Sequence, residues 1–299
     1  MSGPTFFIIG APKCGTTALY TWLSAHPQVC MSQPKEPQFF SGDIFGHQRN
    51  ITHLDDYLRC FGHKPQAKEI GEASTCHLAS PSAAKLIKRF SPQGKIVVML
   101  RNPVEVMQSL HSERIFSGME NIRDFSTALD ATAERTWAAG RFRGERVIRP
   151  TYREMVRFSE QVGRYIHFFG RDRIHVILYD DLVDSAGAVY RDTLSFLGLE
   201  DDRRDSFEVV NDNKRVRSLT LQGFALHASE TIRRFGHLAL PKPLRKYMSG
   251  VLNHLNTVQE PRPPMNPQLR KRLVTEFEPE IQALSVLLER DLSAWCKDD

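Results

Sequence analysis

Cysteine is scarce and irregularly placed. Cys14, Cys30, Cys60, Cys76 and Cys296 are odd in number, and no Cys-x-x-Cys pair occurs. That excludes a disulfide framework and a zinc finger, and predicts free thiols in a reducing compartment. Long apolar runs are missing too. No stretch approaches the roughly 18 residues of a membrane span. The run Phe6-Phe7-Ile8-Ile9 is too short for a secretory leader, and no basic segment precedes it. The expectation is a soluble, cytoplasmic protein. No charge sign dominates: 40 Lys and Arg against 35 Asp and Glu leave +5 over 299 residues. Such a balance suits small anionic ligands better than duplex nucleic acid. Internal repeats, low-complexity segments and nucleic-acid signatures are also absent.

What is present is an alternation of apolar runs of strand length with helical patterns. Residues 5–10 read as a strand buried on both faces. A helix with Leu19, Trp22 and Leu23 on one stripe follows, ending near His26 and Pro27. Residues 29–31 and 67–71 are further strands, and 55–61 a short helix. Ser80 and Pro81 predict a helix start, cap then proline. Residues 95–100 are the clearest strand. Asn102, Pro103 and Glu105 then predict a capped helix, with Glu105 closing a capping box. The polar stretch 117–150 holds a helix over 126–139 and is expected to be a lid or acceptor-binding insertion. An amphipathic helix over 152–169, a strand over 173–179 and a helix over 186–197 closed by Gly198 follow. The last helix starts at Pro267, is interrupted at Pro279 and ends near Trp295. This pattern predicts one α/β domain over residues 1–299, a central parallel sheet flanked by helices. Ligands in such sheets sit at the carboxyl ends of strands. Lys13 and Arg101 both follow strand ends and are expected to face one crevice.

Three segments carry the chemistry. Gly10-Ala11-Pro12-Lys13-Cys14-Gly15-Thr16-Thr17 lies between a strand and a helix, so it presents backbone N–H groups and a helix N-terminus to an anion. A nucleotide P-loop places lysine directly after its second glycine. Here Thr16 follows Gly15 and the lysine sits inside the loop, which suits a 5′-phosphate and is poorly built for ATP. The plain alternative is a glycine-containing turn with an incidental lysine. Cys14 is either a thiol of lowered pKa beside a helix start or a small residue filling a tight loop. Arg101 and Ser109, two helical turns apart, are placed to hold a second phosphate. The competing reading pairs a strand-end arginine with a carboxylate. Lys214, Arg215 and Arg217 put three cations in four residues, either a solvated surface or a basic loop that closes over a phosphate.

The segments Ala11 to Thr17, Lys35-Glu36-Pro37-Gln38-Phe39-Phe40, Gly71-Glu72-Ala73-Ser74 and Leu100-Arg101-Asn102-Pro103 with Ser109 occur in that order. With residues 174–182 and 211–218 they resemble the sulfotransferases that use 3′-phosphoadenosine 5′-phosphosulfate (PAPS). The resemblance is to the bacterial branch similar to heparan sulfate N- and 3-O-sulfotransferase domains, and it covers nearly the whole chain. It implies PAPS as co-substrate, PAP as product and no metal. It makes the first loop a P-loop-like phosphosulfate-binding loop, with Lys13, Cys14, Gly15, Thr16 and Thr17 at the 5′-phosphosulfate. Arg101 and Ser109 then hold the 3′-phosphate, and Lys214 and Arg215 add a clamp. The implied reaction moves a sulfuryl group to a hydroxyl or amine of a carbohydrate or small-molecule acceptor, with no nucleic-acid or membrane partner. Lys13 would stabilise the leaving phosphate oxygen.

The same resemblance puts Glu36 at the position of the family's catalytic base. The chain departs from the 3-O relatives at Gln38, where they carry histidine, and at Ala73, where they carry lysine. His111, on the helix of Ser109, is a competing base, and His77 another. Glu72 reads as structural, and Phe39 and Phe40 as pocket wall or core. Two rival functions remain: a non-catalytic PAPS- or PAP-binding protein, and a P-loop kinase-like phosphotransferase, which the displaced lysine disfavours.

Overall fold

The computed structural model describes residues 3–45, 51–134, 141–142, 145–146, 150–208, 214–216, 257–259 and 264–297. In chain order these form β1 (Phe6–Gly10), α1 (Thr16–Ala25), β2 (Val29–Met31), α2 (Gly42–Phe45), α3 (Leu54–Leu58), β3 (Glu69–Ala73) and α4 (Ala83–Phe90). Next come β4 (Lys95–Leu100), α5 (Pro103–Phe116), α6 (Phe125–Glu134), β5 (Arg141–Phe142), β6 (Glu145–Arg146), α7 (Phe158–Phe169) and β7 (Ile174–Leu178). The chain continues with α8 (Tyr179–Asp184), α9 (Ala186–Leu197), β8 (Lys214–Val216), β9 (Thr257–Gln259) and α10 (Pro267–Leu288).

Five strands make one sheet in the order β2-β3-β1-β4-β7, and every pairing in it is parallel. β1 and β4 are apolar throughout and buried from end to end, save Lys95 at the start of β4, because helices cover both faces of a parallel sheet. From β1 the chain crosses to β2, returns to β3 beside β1, and then builds β4 and β7 on the other side. The connection therefore reverses direction between β1 and β4, and the crevice of an open α/β sheet forms at the carboxyl ends of such strands. Right-handed crossovers put α1 and α9 on one face and α4, α5 and α7 on the other. Trp22 meets Tyr190 edge-on at 6.4 Å on the first face. Phe40, Tyr57 and Phe90 cluster against Phe7 on the second. The expected single α/β domain is what the chain adopts. Among the described residues no helix is long and apolar enough to cross a membrane.

Several boundaries differ from the sequence expectation, each for a local reason. Ser80 does accept the Ala83 N–H at 3.0 Å. Its hydroxyl also donates to Asp43 at 2.7 Å, as does the Ser82 N–H at 3.0 Å, and α4 begins only at Ala83. Asn102 caps α5 as expected, accepting from the Val104 N–H at 3.0 Å, a bond worth about 1 kcal/mol. The capping box does not close, because the Glu105 carboxylate is taken by Arg101. Pro279 does not interrupt α10, which is continuous from Pro267 to Leu288. An interior proline costs about 3 kcal/mol, and the buried stripe Leu273, Phe277, Ile281 and Leu284 outweighs it. That helix ends well before Trp295, which sits in a separate turn, Ser293–Cys296.

Within 117–150, α6 is docked rather than free: Phe125 is buried against His111 and Tyr152. The hairpin β5–β6 follows it. Of the basic segment 211–218, only residues 214–216 are described. Their backbone pairs antiparallel with β9 and lies beside α5.

Candidate active site

The loop after β1 is shaped by two glycines. Gly10 has φ 145°, and a Cβ there would stand 2.5 Å from the Thr75 carbonyl oxygen. Gly15, at φ 85°, is the N-cap of α1, where a Cβ would meet Leu182 at 2.5 Å. Gly15 provides no side-chain cap, so the N–H groups of the first turn of α1 point into the crevice at the positive end of the helix. Lys13 adopts φ 65°, which turns its side chain from the loop toward α5, where Nζ stands 3.7 Å from Glu113 Oε2. Cys14 points the other way. It is fully buried, and burial pushes its thiol up to about 12 against the pull of nearby Arg101 and Lys13. With no exposed surface, Cys14 is the loop's filler.

Arg101 ends β4. Its Nε donates to Glu105 Oε2 at 2.8 Å, and its guanidinium lies 4.4 Å from the centroid of the Tyr179 ring. Glu105, Ser109 and Glu113 are spaced by four residues and share one stripe of α5. Arg101 meets the first and Lys13 the last, with Ser109 buried between them. One helix face thus aligns both predicted cations and the predicted hydroxyl. The strand-end turns that carry this group are held from the C-terminus. The Asn102 amide donates to the Trp295 carbonyl at 3.1 Å. The Trp295 indole donates to Asp180 at 2.6 Å, and Arg290 grips Asp181 through two 2.6 Å bonds.

Glu36 is suspended from the end of β3. Its N–H donates to the Ala73 carbonyl at 2.9 Å, and the Gln38 N–H donates to Ser74 Oγ at 2.9 Å. Glu36 and Gln38 have φ 61° and 55°, so the segment doubles back and points its carboxylate beside Thr75, next to Gly10. That carboxylate accepts from Lys35 Nζ at 2.8 Å, Gln38 Nε2 at 2.9 Å and Thr75 Oγ1 at 3.3 Å. Cys76 lies between Glu36 and Glu113, and burial raises its thiol to about 12.

The two histidines considered as bases are not in this group. His111 is two residues from Ser109, which puts it about 200° around the helix. It packs against Phe125 and Tyr152, and Nε2 bonds the Ile122 carbonyl at 2.8 Å. Burial lowers its pKa. His77 is wholly buried between Glu72 and Ser41. Phe39 and Phe40 are core, stacked on or edged against Tyr57. Sequence reasoning missed Glu113, Tyr179 and the C-terminal brace. The four-residue spacing from Ser109 was a usable signal for Glu113. Nothing local marks Trp295.

Residues 4–235 match the model of the sulfotransferase domain. The chain belongs to the sulfotransferase family. It is similar to human carbohydrate sulfotransferase 15, 30% identical over a 159-residue alignment that covers 40% of this chain and 28% of that protein. It is 28% identical over 189 residues to the bifunctional heparan sulfate N-deacetylase/N-sulfotransferase 1 of Caenorhabditis briggsae, covering 60% of this chain and 21% of that one. The matched region is thus about a quarter of the length of these curated relatives. A crystal structure of a sulfotransferase from Alicyclobacillus acidocaldarius superposes with a TM-score of 0.71 at 28% identity, covering 99% of this chain and 100% of that one. The family's transferase character therefore extends to a chain of matching length.

Proposed function

We propose that this chain transfers a sulfuryl group from PAPS to a hydroxyl or amine of a carbohydrate or small-molecule acceptor. The observation that carries the reading is the α5 stripe, which brings Lys13 and Arg101 from adjacent strand ends to one helix face around Ser109. The donor set fits a nucleotide with phosphates at both ends. The uncapped first turn of α1 with Lys13 suits the 5′-phosphosulfate. Arg101 with Ser109 suits the 3′-phosphate, and Tyr179 keeps the guanidinium plane fixed. The backbone of Lys214 and Arg215, beside α5, is positioned for the further clamp.

PAPS supplies an activated sulfur–oxygen bond. Glu36 takes the proton of the acceptor O–H or N–H as that atom bonds to sulfur. Lys13 stabilises the electron pair that stays on the 5′-phosphate oxygen as the S–O bond breaks, so PAP leaves. Glu36 carries three hydrogen bonds that hold its carboxylate in one orientation, as a base needs.

The test has two stages. PAP should raise the melting temperature in the presence of EDTA, and ATP with Mg²⁺ should not. The labelled sulfuryl group of PAPS should then pass to a member of a panel of oligosaccharides, amino sugars and phenols. A shift with ATP–Mg²⁺ alone would overturn the reading in favour of a kinase. PAP binding with no transfer to any acceptor, and no Glu36 dependence of slow PAPS breakdown, would favour a non-catalytic binder.

A further inference from the structure

Behind Glu36 runs a chain of buried hydrogen bonds that neither family membership nor the loop geometry explains. Gln38 Nε2 meets Glu36 Oε2 at 2.9 Å. Its Oε1 meets Ser41 Oγ at 3.3 Å, Ser41 Oγ meets His77 Nδ1, and His77 Nε2 meets Glu72 Oε2 at 3.1 Å. Ser41, Glu72 and His77 have no solvent exposure, and Gln38 is buried as well.

The direction of each bond follows from donor counting. The Glu36 carboxylate only accepts, so the Gln38 NH₂ must face it and the amide oxygen must face Ser41. Ser41 has one proton, and that proton is spent on Gln38. Ser41 therefore accepts from His77, and Nδ1 carries a hydrogen. Nε2 faces a carboxyl group with a proton between them, on whichever of the two it resides. A second argument is independent of the first. Among the described residues Glu72 accepts only from Tyr57, at 3.3 Å, and from His77, and its other oxygen, Oε1, has no partner. No Lys or Arg bonds to it among those residues. Burial holds the protons on the neighbouring Tyr57, Tyr165 and Cys60. An ionised Glu72 beside a neutral imidazole would be a fully buried charge with no cation bonded to it among the described residues, which is costly. One added proton makes the pair neutral.

We propose that His77 carries a proton on Nδ1 within a net-neutral Glu72–His77 pair, and that Ser41, His77 and Glu72 are positioning residues that fix the Gln38 amide, and through it the Glu36 carboxylate, for proton abstraction. The inference rests on the reading of Glu36 as the base. Without the Nδ1 proton, Ser41 turns its hydroxyl toward His77 and offers Gln38 a lone pair. The amide then rotates and sets an oxygen against Glu36. The groups facing Glu36 otherwise stay in place: Lys35, Thr75 and the protonated Cys76.

The experiment uses the full chain labelled with ¹⁵N-histidine and carboxyl-¹³C-glutamate, with Glu36→Gln and His77→Asn to assign signals. His77 Nδ1 should report a bound proton throughout pH 6 to 9. A lone-pair Nδ1 in that range overturns the proposal. Glu72→Gln can donate its amide N–H to His77 Nε2 in place of the shared proton and so should leave the Glu36 midpoint where it was. Ser41→Ala, which removes the donor to the Gln38 amide oxygen, should raise that midpoint by about half a pH unit or more. With an acceptor in hand, the acid limb of kcat/KM should move up by the same amount, which a loss of folded protein alone would not do. An unchanged midpoint in Ser41→Ala, with cooperative melting, overturns the coupling. Full turnover in Glu36→Gln overturns the base assignment and the network's catalytic purpose, while the Nδ1 signal still reports the proton placement separately.

Discussion

The two sides of the crevice hold their charges in different ways. On the side proposed for the nucleotide, Lys13 and Arg101 are paired one to one with Glu113 and Glu105, carboxylates on an open helix face. Glu113 is about half exposed, and such pairs contribute about 0–1 kcal/mol. They keep the cations in place and yield easily to a phosphate. On the acceptor side, the Glu36 carboxylate accepts three bonds and is backed by an entirely buried relay. The difference matches the two tasks proposed for them: a co-substrate site must release its product each turnover, whereas a base must return to one orientation.

Four measurements break or sharpen this contrast. The largest effect is expected for Glu36→Gln, a loss of about 10²–10⁴-fold in turnover with PAP affinity unchanged by calorimetry. Parallel losses in both quantities would dissolve the distinction between the two sides. Next, Lys13→Ala and Arg101→Ala should each weaken PAP binding by about 10- to 100-fold, and Arg101→Lys should recover only part of the loss because the fork and the stacking on Tyr179 go with the guanidinium. Third, the thiols of Cys14 and Cys76 stand near 12 when folded against a reference value of 9.0. The unfolded chain therefore releases these protons first, so the stability they contribute is full below pH 9 and declines as pH rises from 9 toward 12. Denaturant midpoints measured across that window should fall, and Cys14→Ala with Cys76→Ala should flatten the decline. The smallest effect is Glu113→Gln, which frees Lys13 of a competitor and should tighten PAP binding two- to five-fold. Weaker binding in that variant would mean Glu113 positions Lys13 rather than merely occupying it.

Much of the nucleotide side was legible because it is written in local pattern. β1, β4, the loop glycines and the Asn102 cap each depend on neighbours within a few residues. The Glu105 carboxylate was misread as half of a capping box, since both partners it can reach lie within four positions and sequence does not rank them. The exclusion of His111 was available from helix geometry alone, because residues two apart cannot share a face with Ser109. The acceptor side was not legible in this way. Gln38, Ser41, Glu72 and His77 come from two segments joined only when β2 pairs with β3 and the Glu36 N–H bonds the Ala73 carbonyl. Pro279 failed as a helix breaker for a related reason: tertiary burial outweighed a local preference.

Lys13, Glu36 and Gln38 all stand at positive φ, a region that costs a side-chain-bearing residue about 1–2 kcal/mol. Selection for heat resistance and selection for chemistry therefore pull in opposite directions at these positions, since glycine would relax the backbone and delete the working group. A thermostabilising library is best aimed away from the crevice. Val183 and Val286 are 65% and 80% exposed on helices, where β-branched residues are poor formers, and helix-favouring replacements there leave the chemistry untouched.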